Sequence, residues 1–462
     1  MTKAVPIDPT IFKAYDIRGI VELSLTPDAV YNIGLAIGSE AREQGEQHIY
    51  VARDGRLSGP SLIEALTRGL LDSGCDVTDV GMVPTPVLYY AAYELGSGSG
   101  IMLTGSHNPP NYNGLKMVIG GTTLSGDHIQ RLKTRIDNND FMSGSGKRDE
   151  LDVVPQYIER ITSDIKLARP MKVIVDCGNG VPGAVAPALL RALGCEVTEM
   201  FCEVDGSFPN HHPDPSQPEN LEDLKTALRE QSADIGLAFD GDGDRLGVIT
   251  PEGEVIWADR QIMLYARDIL ARNPGGEIIF DIKCTTNLPK VITAAGGKPT
   301  MWKTGHSLIK AKLKETGALL AGEMSGHIFF KERWYGFDDA LYTAARLLEI
   351  LSKDPRPATE VFAELPDSVN TPEIKMDMPE GEHFTLVERM VANANFQGAS
   401  LTTIDGVRAD WEDGFGLARA SNTTPCIVFR FEATNEEALE RIKSDFRQLV
   451  EQQATSAVDI PF

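Results

Sequence analysis

Short apolar runs bounded by turn-forming residues recur along this chain, separated by windows with helical periodicity. Runs of four to six apolar residues between such punctuators read as buried strands. His48-Ile49-Tyr50-Val51-Ala52-Arg53 is the first, ending at Asp54. Ser58 is placed to cap a helix over residues 60–72, which Gly74 stops, and a second strand follows over 75–80. The same phrase returns twice. Lys172-Val173-Ile174-Val175 reaches Asp176, a helix is expected over 183–193, Gly194 stops it, and Cys195-Glu196-Val197 restarts a strand. Glu277-Ile278-Ile279-Phe280 reaches Asp281, a helix is expected over 287–295, and Gly296-Gly297 follows. From strand-end aspartate to helix-stopping glycine the spacing is 20, 18 and 15 residues. That is a β-loop-α-loop-β unit in three copies, with Ser or Asn opening each helix and Gly closing it.

Each copy ends in an apolar run followed by an unusual loop. Gly100-Ile101-Met102-Leu103 leads into Thr104-Gly105-Ser106-His107-Asn108-Pro109-Pro110, and the prolines and Asn113-Gly114 stop any regular element from continuing. Ser106 therefore sits on a tight loop at the carboxyl end of a strand, where ligands bind in open α/β sheets. A serine presented there beside His107 is a candidate nucleophile, against the plainer reading of a turn residue bonded to its own backbone. The second copy ends, after Ile235-Gly236-Leu237-Ala238-Phe239, in Asp240-Gly241-Asp242-Gly243-Asp244-Arg245. The third ends, after Ala318-Leu319-Leu320-Ala321, in Gly322-Glu323-Met324-Ser325-Gly326-His327. Three similar domains presenting three different loops to one cleft would make a site.

In the second loop the alternation of Asp240, Asp242 and Asp244 with glycines would point three carboxylates one way if the segment is extended. Converging carboxylates repel unless a cation sits among them, and oxygen-only ligands favour Mg²⁺ or Ca²⁺ over Zn²⁺. An EF-hand is excluded, because its sixth position is Arg245 and its twelfth Pro251. Gly178-Asn179-Gly180-Val181-Pro182-Gly183 matches a dinucleotide fingerprint in letters. Asp176-Cys177 before the first glycine and Pro182 at the helix start argue instead for a packing loop. His211-His212 lie in a proline-rich loop and read as structural. His306 sits where a loop opens a helix, and either contacts a substrate or caps.

Composition narrows the partners. The chain has 462 residues, 42% apolar, enough for roughly three or four domains. With 44 basic and 67 acidic residues it carries −23, which argues against nucleic acid or an anionic membrane surface. An anionic small molecule held by locally clustered Arg and Lys is compatible with that charge. The six cysteines form no C-x-x-C pair and read as buried thiols in a reducing compartment. No secretory leader pattern and no membrane-length apolar run is apparent, so a cytoplasmic location is expected. From about Pro366 the texture changes to alternating strands, such as residues 427–432, and a charged helix over 435–450. This reads as a fourth, α+β domain. The same region contains Arg419-Ala420-Ser421-Asn422-Thr423-Thr424-Pro425.

Taken together, the Ser106, Asp240–Arg245 and Glu323 loops, the Arg419–Thr423 run and Ala14-Tyr15-Asp16-Ile17-Arg18-Gly19 resemble the motifs of the α-D-phosphohexomutases, in the same order along essentially the whole chain. Met324 resembles the branch acting on both mannose and glucose phosphates, the bacterial phosphomannomutase/phosphoglucomutases. The resemblance implies a fold of three similar mixed α/β domains in tandem plus a C-terminal α+β domain, heart-shaped around one central cleft. The implied domains are 1–151 with the phosphoserine loop, 152–254 with the metal site, 255–366 with the sugar loop, and 367–462 with a phosphate-binding loop. It implies reversible transfer of phosphate between C1 and C6 of mannose and glucose phosphates. The route is a phosphorylated Ser106 and a 1,6-bisphosphohexose that serves as activator. Mg²⁺ would be held by Asp240, Asp242, Asp244 and the phosphoserine, with no nucleotide cofactor. Arg18, His107, Lys116, Arg245 and His327 would serve catalysis. Lys116, His327 and Arg18 are the candidates to take the sugar hydroxyl's proton, and His327 has the most suitable ordinary pKa. Tyr15, Lys283, His306, Glu323, Met324, Ser325, Arg419, Ser421, Asn422 and Thr423 would bind substrate. The expected partners are hexose phosphates alone, for a monomeric protein. A phosphatase, a nicotinamide oxidoreductase and a non-catalytic sugar-phosphate sensor are the rival classes.

Overall fold

The structure, a computed structural model, describes residues 7–96, 98–422, 424–455 and 458–462. Thr423 therefore lies outside the described residues. The described residues form four β-sheets, and the first three share one plan. In the first, strand His48–Arg53 is flanked by parallel strands Asp76–Met82 and Gly100–Leu103, and Gly100–Leu103 pairs antiparallel with Tyr112–Ile119. In the second, Lys172–Asp176 lies between Glu196–Met200 and Ile235–Phe239, with Leu246–Ile249 antiparallel beyond. In the third, Glu277–Asp281 lies between Lys298–Trp302 and Leu320–Gly322, with Ile328–Phe330 antiparallel beyond. The three loops singled out by the sequence thus occupy one topological position: the connection from the third, parallel strand to the fourth, antiparallel one.

The glycines expected to stop the helices do so in the left-handed region, at φ 95° for Gly74, 96° for Gly194 and 80° for Gly296, where a Cβ would be strained. Two local expectations are corrected. Ser58 stands at the N-cap of helix Gly59–Ser73 but makes no side-chain cap; its hydroxyl accepts from Asn113 Nδ2 at 3.0 Å instead. The helix expected over 183–193 is a 3₁₀ turn, Val181–Ala184, followed by the short helix Ala186–Ala192. Pro182 and Pro187 sit at the starts of the two pieces, where a missing N–H costs nothing.

The glycine-rich loop after Asp176 packs against backbone. A Cβ on Gly183 would lie 2.0 Å from the Cys202 carbonyl oxygen, and one on Gly180 would lie 2.9 Å from Gly241 Cα. The loop braces the aspartate loop, with Val181 N donating to Gly241 O at 3.1 Å. All six cysteines are buried free thiols.

Helix Thr85–Glu94 is apolar on every side and buried from Thr85 to Ala92. Such a helix must sit in a core rather than on a surface. Its Tyr89 and Tyr90 pack with Tyr157, Trp334 and Phe337 in one hydrophobic cluster that runs through the first three domains. The fourth sheet is antiparallel, with Cys426–Ala433 beside Gly414–Ala420 and helices Glu382–Asn393 and Glu436–Gln453 on it, around a separate core. Asn435 caps the last helix through Ala438 N. This sheet is joined to the third domain by a small apolar cluster, Ile282 with Phe415 and Leu417, and by buried polar groups. Arg408 donates to Ile282 O and Cys284 O, Arg430 to Asp259, and Thr285 and Thr286 to Glu432. Among the described residues no helix is long and apolar enough to cross a membrane.

Candidate active site

The equivalent loops of the three sheets meet at a cleft of about 430 Å³, which the fourth sheet's loop also borders. Ser106, 2% exposed, stands at φ 48°, a left-handed conformation uncommon for a residue with a side chain. Surrounding hydrogen bonds hold it there. Ser106 N donates to Thr104 Oγ1 (2.8 Å), which donates to Asp54 Oδ2 (2.8 Å). Arg56, buried and absent from the sequence reading, donates to the carbonyls of Ser106 (2.8 Å), Asn108 (2.6 Å), Pro109 (2.5 Å) and Tyr112 (3.0 Å). Gly105 lies against it, since a Cβ there would come within 2.3 Å of the guanidinium carbon. Arg56→Met should take the guanidinium donors from those carbonyls and the counter-charge from Asp54 in the interior and destabilise the fold by about 3–5 kcal/mol, as breaking a buried ion pair does. Denaturant unfolding of the variant checks this, and an unchanged midpoint would contradict it.

Ser106 Oγ donates to Asp240 Oδ2 at 3.0 Å and lies 3.2 Å from His107 Nδ1. Burial and the cations Arg245, Arg18 and Lys116 push the His107 imidazole well below the usual histidine range. The first and second loops touch so closely that a Cβ on Gly241 would lie 2.3 Å from Ser106 O. His212, expected to be structural, donates from Nε2 to His107 O and helps hold the serine loop.

The aspartate loop is a tight turn rather than the extended segment expected. Asp240 Oδ1 accepts from the N–H groups of Gly243, Asp244 and Arg245 at 3.0–3.2 Å, which curls the backbone around that carboxylate. Convergence comes from this curl, with Gly243 at φ 79°. One oxygen each of Asp240, Asp242 and Asp244 lies within 4.8 Å of the others, and all three side chains are fully buried. Burial and the charges of Asp244 and Asp242 hold the Asp240 carboxyl well above its ordinary range. Burial acts the same way on Asp242, but Lys116, at 2.7 Å, outweighs it and holds that carboxyl low. Lys116 also bonds Asp244. Asp242 Oδ1 and Asp244 Oδ1 are buried without a hydrogen-bond donor. An all-oxygen set with unpaired buried oxygens suits a hard divalent cation.

His327 joins the second and third loops. Its Nε2 accepts from Arg245 Nε at 3.0 Å, and its Nδ1 lies 3.1 Å from Asp338 Oδ2 and 3.5 Å from Asp244 Oδ1. Asp338, which sequence reasoning passed over, is fixed by Lys310 Nζ at 2.9 Å. His306, the first residue of helix His306–Thr316, stacks on His327 with ring centres 5.6 Å apart. Burial and Lys310 push its pKa well down. Glu323 is 2% exposed and accepts from Gly305 N, and burial raises its carboxyl pKa. Met324 N donates to Asp281 Oδ1 at 3.1 Å. Arg18 bonds Asp16 and Asn108.

The fourth sheet brings to the cleft Arg419, near the end of strand Gly414–Ala420, and Ser421 and Asn422 just beyond it. Arg419 Nε donates to Asp405 Oδ2 (3.0 Å), and the same oxygen accepts from Thr304 N (3.0 Å). Asn422 donates to Tyr15 OH, which donates to Thr304 O at 2.9 Å. The first, third and fourth domains therefore meet at Tyr15. Of the described residues picked out in the sequence, Tyr15, Arg18, Ser106, His107, Lys116, Arg245, Lys283, His306, Glu323, Met324, Ser325, His327, Arg419, Ser421 and Asn422 line the cleft. The three aspartates lie just behind Ser106. Arg56, Asp338, Asp405 and Glu373 complete the site and carried no local signal.

Four family models for phosphoglucomutase/phosphomannomutase match the chain in order: alpha/beta/alpha domain I at residues 9–143, domain II at 155–253, domain III at 257–369 and the C-terminal domain at 373–449. The chain is 57% identical over 460 residues to the phosphomannomutase/phosphoglucomutase of Pseudomonas aeruginosa PAO1, covering 100% of this chain and 99% of that protein. It is 56% identical over 445 residues to the phosphoglucomutase of Neisseria gonorrhoeae, covering 96% of each. A crystal structure of a phosphoglucomutase/phosphomannomutase family protein from Burkholderia thailandensis superposes with a TM-score of 0.94 at 55% identity, over 99% of this chain and 100% of that one. Four domains matched in order, and more than half the residues shared from end to end, make this chain a member of the phosphoglucomutase/phosphomannomutase family.

Proposed function

We propose that this enzyme moves phosphate reversibly between C1 and C6 of mannose and glucose phosphates, through a phosphorylated Ser106 and a 1,6-bisphosphohexose. The observation that carries the reading is the Ser106 hydroxyl, held in a strained backbone conformation 3.0 Å from Asp240 where three equivalent loops converge. Asp240, Asp242 and Asp244, with a phosphoryl oxygen on Ser106, are the ligands assigned to Mg²⁺, which as a Lewis acid draws charge from phosphoryl oxygens. Phosphoryl transfer needs charge stabilisation more than covalent machinery. Arg245 and Lys116 supply it from the chain itself.

The attacking sugar hydroxyl must lose a proton. Of Lys116, Arg18 and His327, we assign the base to His327. Lys116 is tied to two carboxylates that hold its ammonium protonated, the attraction of Asp242 and Asp244 outweighing burial. A guanidinium stays charged at any working pH. His327 turns Nδ1 to Asp338, which fixes its ring, and its Nε2 lone pair, which accepts from Arg245 in the free enzyme, takes the proton once the sugar hydroxyl replaces that contact.

Glu323 and Ser325 are assigned to the sugar O3 and O4, which mannose and glucose share, so that the C2 epimers fit alike. Lys283, Arg419, Ser421, Asn422 and Thr423 are assigned to the non-reacting phosphate, with Tyr15 and His306 beside them. Binding energy at that remote phosphate aligns the reacting hydroxyl at each transfer, and rebinding there after the turn commits the bisphosphate to the second one. Domain borders at 1–151, 152–254, 255–366 and 367–462 place one loop in each domain. Hexose phosphates are the expected partners, for a monomer acting in the cytoplasm. The acidic net charge of −23 is what sets nucleic acids and anionic membranes aside.

The test is a coupled assay on mannose 1-phosphate and glucose 1-phosphate with a catalytic amount of the 1,6-bisphosphate. Conversion of both supports the reading. Release of inorganic phosphate instead would mean a phosphatase. Glu323→Ala should lower kcat/KM for both sugars by a similar factor, on the order of 10²-fold, because a buried site loses its partner for a sugar hydroxyl. Loss confined to one epimer would show that this loop reads C2.

A further inference from the structure

The cations of the distal phosphate subsite already hold anions of the protein, and the two anions are held differently. Arg419 pairs with Asp405, which is only 15% exposed and is fixed from a second side by Thr304 N. Lys283 Nζ donates to Glu373 Oε1 at 2.5 Å. Lys283 is buried at 4% exposure, with Asp281 Oδ2 a further 3.8 Å from its ammonium. The Glu373 side chain is 32% exposed. Among the described residues it makes no hydrogen bond except the one to Lys283. Asp405 is thus built in, whereas Glu373 is held at one point with water at its back.

The two partners also come from different domains. Lys283 follows strand Glu277–Asp281 of the third sheet, and Glu373 immediately precedes strand Ile374–Asp377 of the fourth. Both line the cleft, as do Arg419 and Lys375. A phosphate reaching Lys283 meets an ammonium already engaged by a carboxylate that itself lines the cleft. Two anions on one ammonium repel each other. Entry of the phosphate is then an exchange, in which Glu373 swings into water as the phosphate takes its place.

We propose that Glu373 is an internal counter-anion of the distal subsite, displaced by the substrate's phosphate on binding and returning when the phosphate leaves. The proposal rests on the assignment of Lys283 and Arg419 to the non-reacting phosphate. Its consequence is kinetic. An enzyme whose bisphosphate must let go of this subsite, turn and bind again gains from a site that never holds phosphate without competition. Weaker ground-state binding of a group common to every step shortens the dwell of each one.

Glucose 1-phosphate is titrated calorimetrically into Ser106→Ala, which cannot turn it over, and into the same protein carrying Glu373→Gln. Removing the competing charge should tighten binding about fivefold at low ionic strength, the scale of a partly exposed ion pair. Glu373→Ser, too short to reach Lys283, should tighten it equally, so a folding defect in one variant leaves the other to decide. With Ser106 intact, Glu373→Gln should lower KM and kcat together, and Glu373→Asp, which restores the charge, should return both towards wild type. Unchanged or weaker binding in folded Glu373→Gln and Glu373→Ser overturns the exchange. A Ser106→Ala protein that binds no glucose 1-phosphate at all, or a wild type without mutase turnover, overturns the functional reading instead.

Discussion

Replacing Ser106 with alanine should remove a covalently bound phosphate from the isolated enzyme and take mutase turnover down by about 10⁴-fold or more, the scale of losing a nucleophile. The expectation follows from where the hydroxyl is and what surrounds it. Ser106 is held in a left-handed backbone conformation by Thr104, Asp54 and Arg56, whose groups bond the loop's backbone and leave Oγ free to face Asp240. The substitution removes one oxygen and its bond to Asp240 but none of the bonds that hold the loop's backbone, so the fold should survive. Alanine also keeps the Cβ that the conformation already tolerates. Intact-mass measurement of wild type should show an added phosphate, absent in the variant, and the two circular-dichroism melts should coincide. A fully active Ser106→Ala enzyme, or a phosphate mapped to another residue, would remove the phosphoserine from the mechanism.

The second large effect is expected at Asp242. Asp242→Asn keeps the shape and removes one charge from the three-carboxylate cluster. Two consequences should separate cleanly. Turnover should fall by roughly 10²–10³-fold, as when one group stabilising transition-state charge is lost. Stability without metal should fall only modestly, because losing the Lys116 attraction that holds the Asp242 carboxyl low is partly offset by relief of the repulsion among Asp240, Asp242 and Asp244 at full burial. Less charge there relieves that repulsion, although Lys116 keeps only Asp244 as a full partner. Activity after exhaustive chelation, with and without added Mg²⁺, and a thermal melt in EDTA are the measurements. Wild-type turnover in EDTA would contradict any metal role, and a variant that melts far below wild type in EDTA would mean that the cluster is structural.

Much of this protein is legible locally. The three β-α-β passes follow from apolar runs and from glycines that end helices at positive φ, signals contained within about twenty residues. The aspartate loop announces its chemistry through composition alone, since three carboxylates flanked by buried strands need a counter-charge. Its geometry was less accessible. The carboxylates converge because Asp240 collects three backbone N–H groups, not because alternate residues of an extended strand share a side. Ser58 carries the letter of a helix cap, yet its hydroxyl goes to Asn113, a partner 55 residues away that no cap rule weighs.

What the sequence determined by itself is the repeated unit, the identity of the three loops and the change of texture that begins the fourth domain. Each is written in neighbours along the chain, where periodicity, capping and turn chemistry act. What only the tertiary structure decided is how the loops are held and who faces whom. Arg56 became the clamp of the Ser106 loop because four of its five donors meet carbonyls 50 to 56 residues further on, while the fifth goes to Asp54. Asp338 became the partner of His327, and Glu373 that of Lys283, across strand connections and a domain boundary. An isolated Arg, Asp or Glu in a sequence is most often a solvated surface charge. Burial is what obliges such a group to find a partner, and burial is a property of the assembled domains.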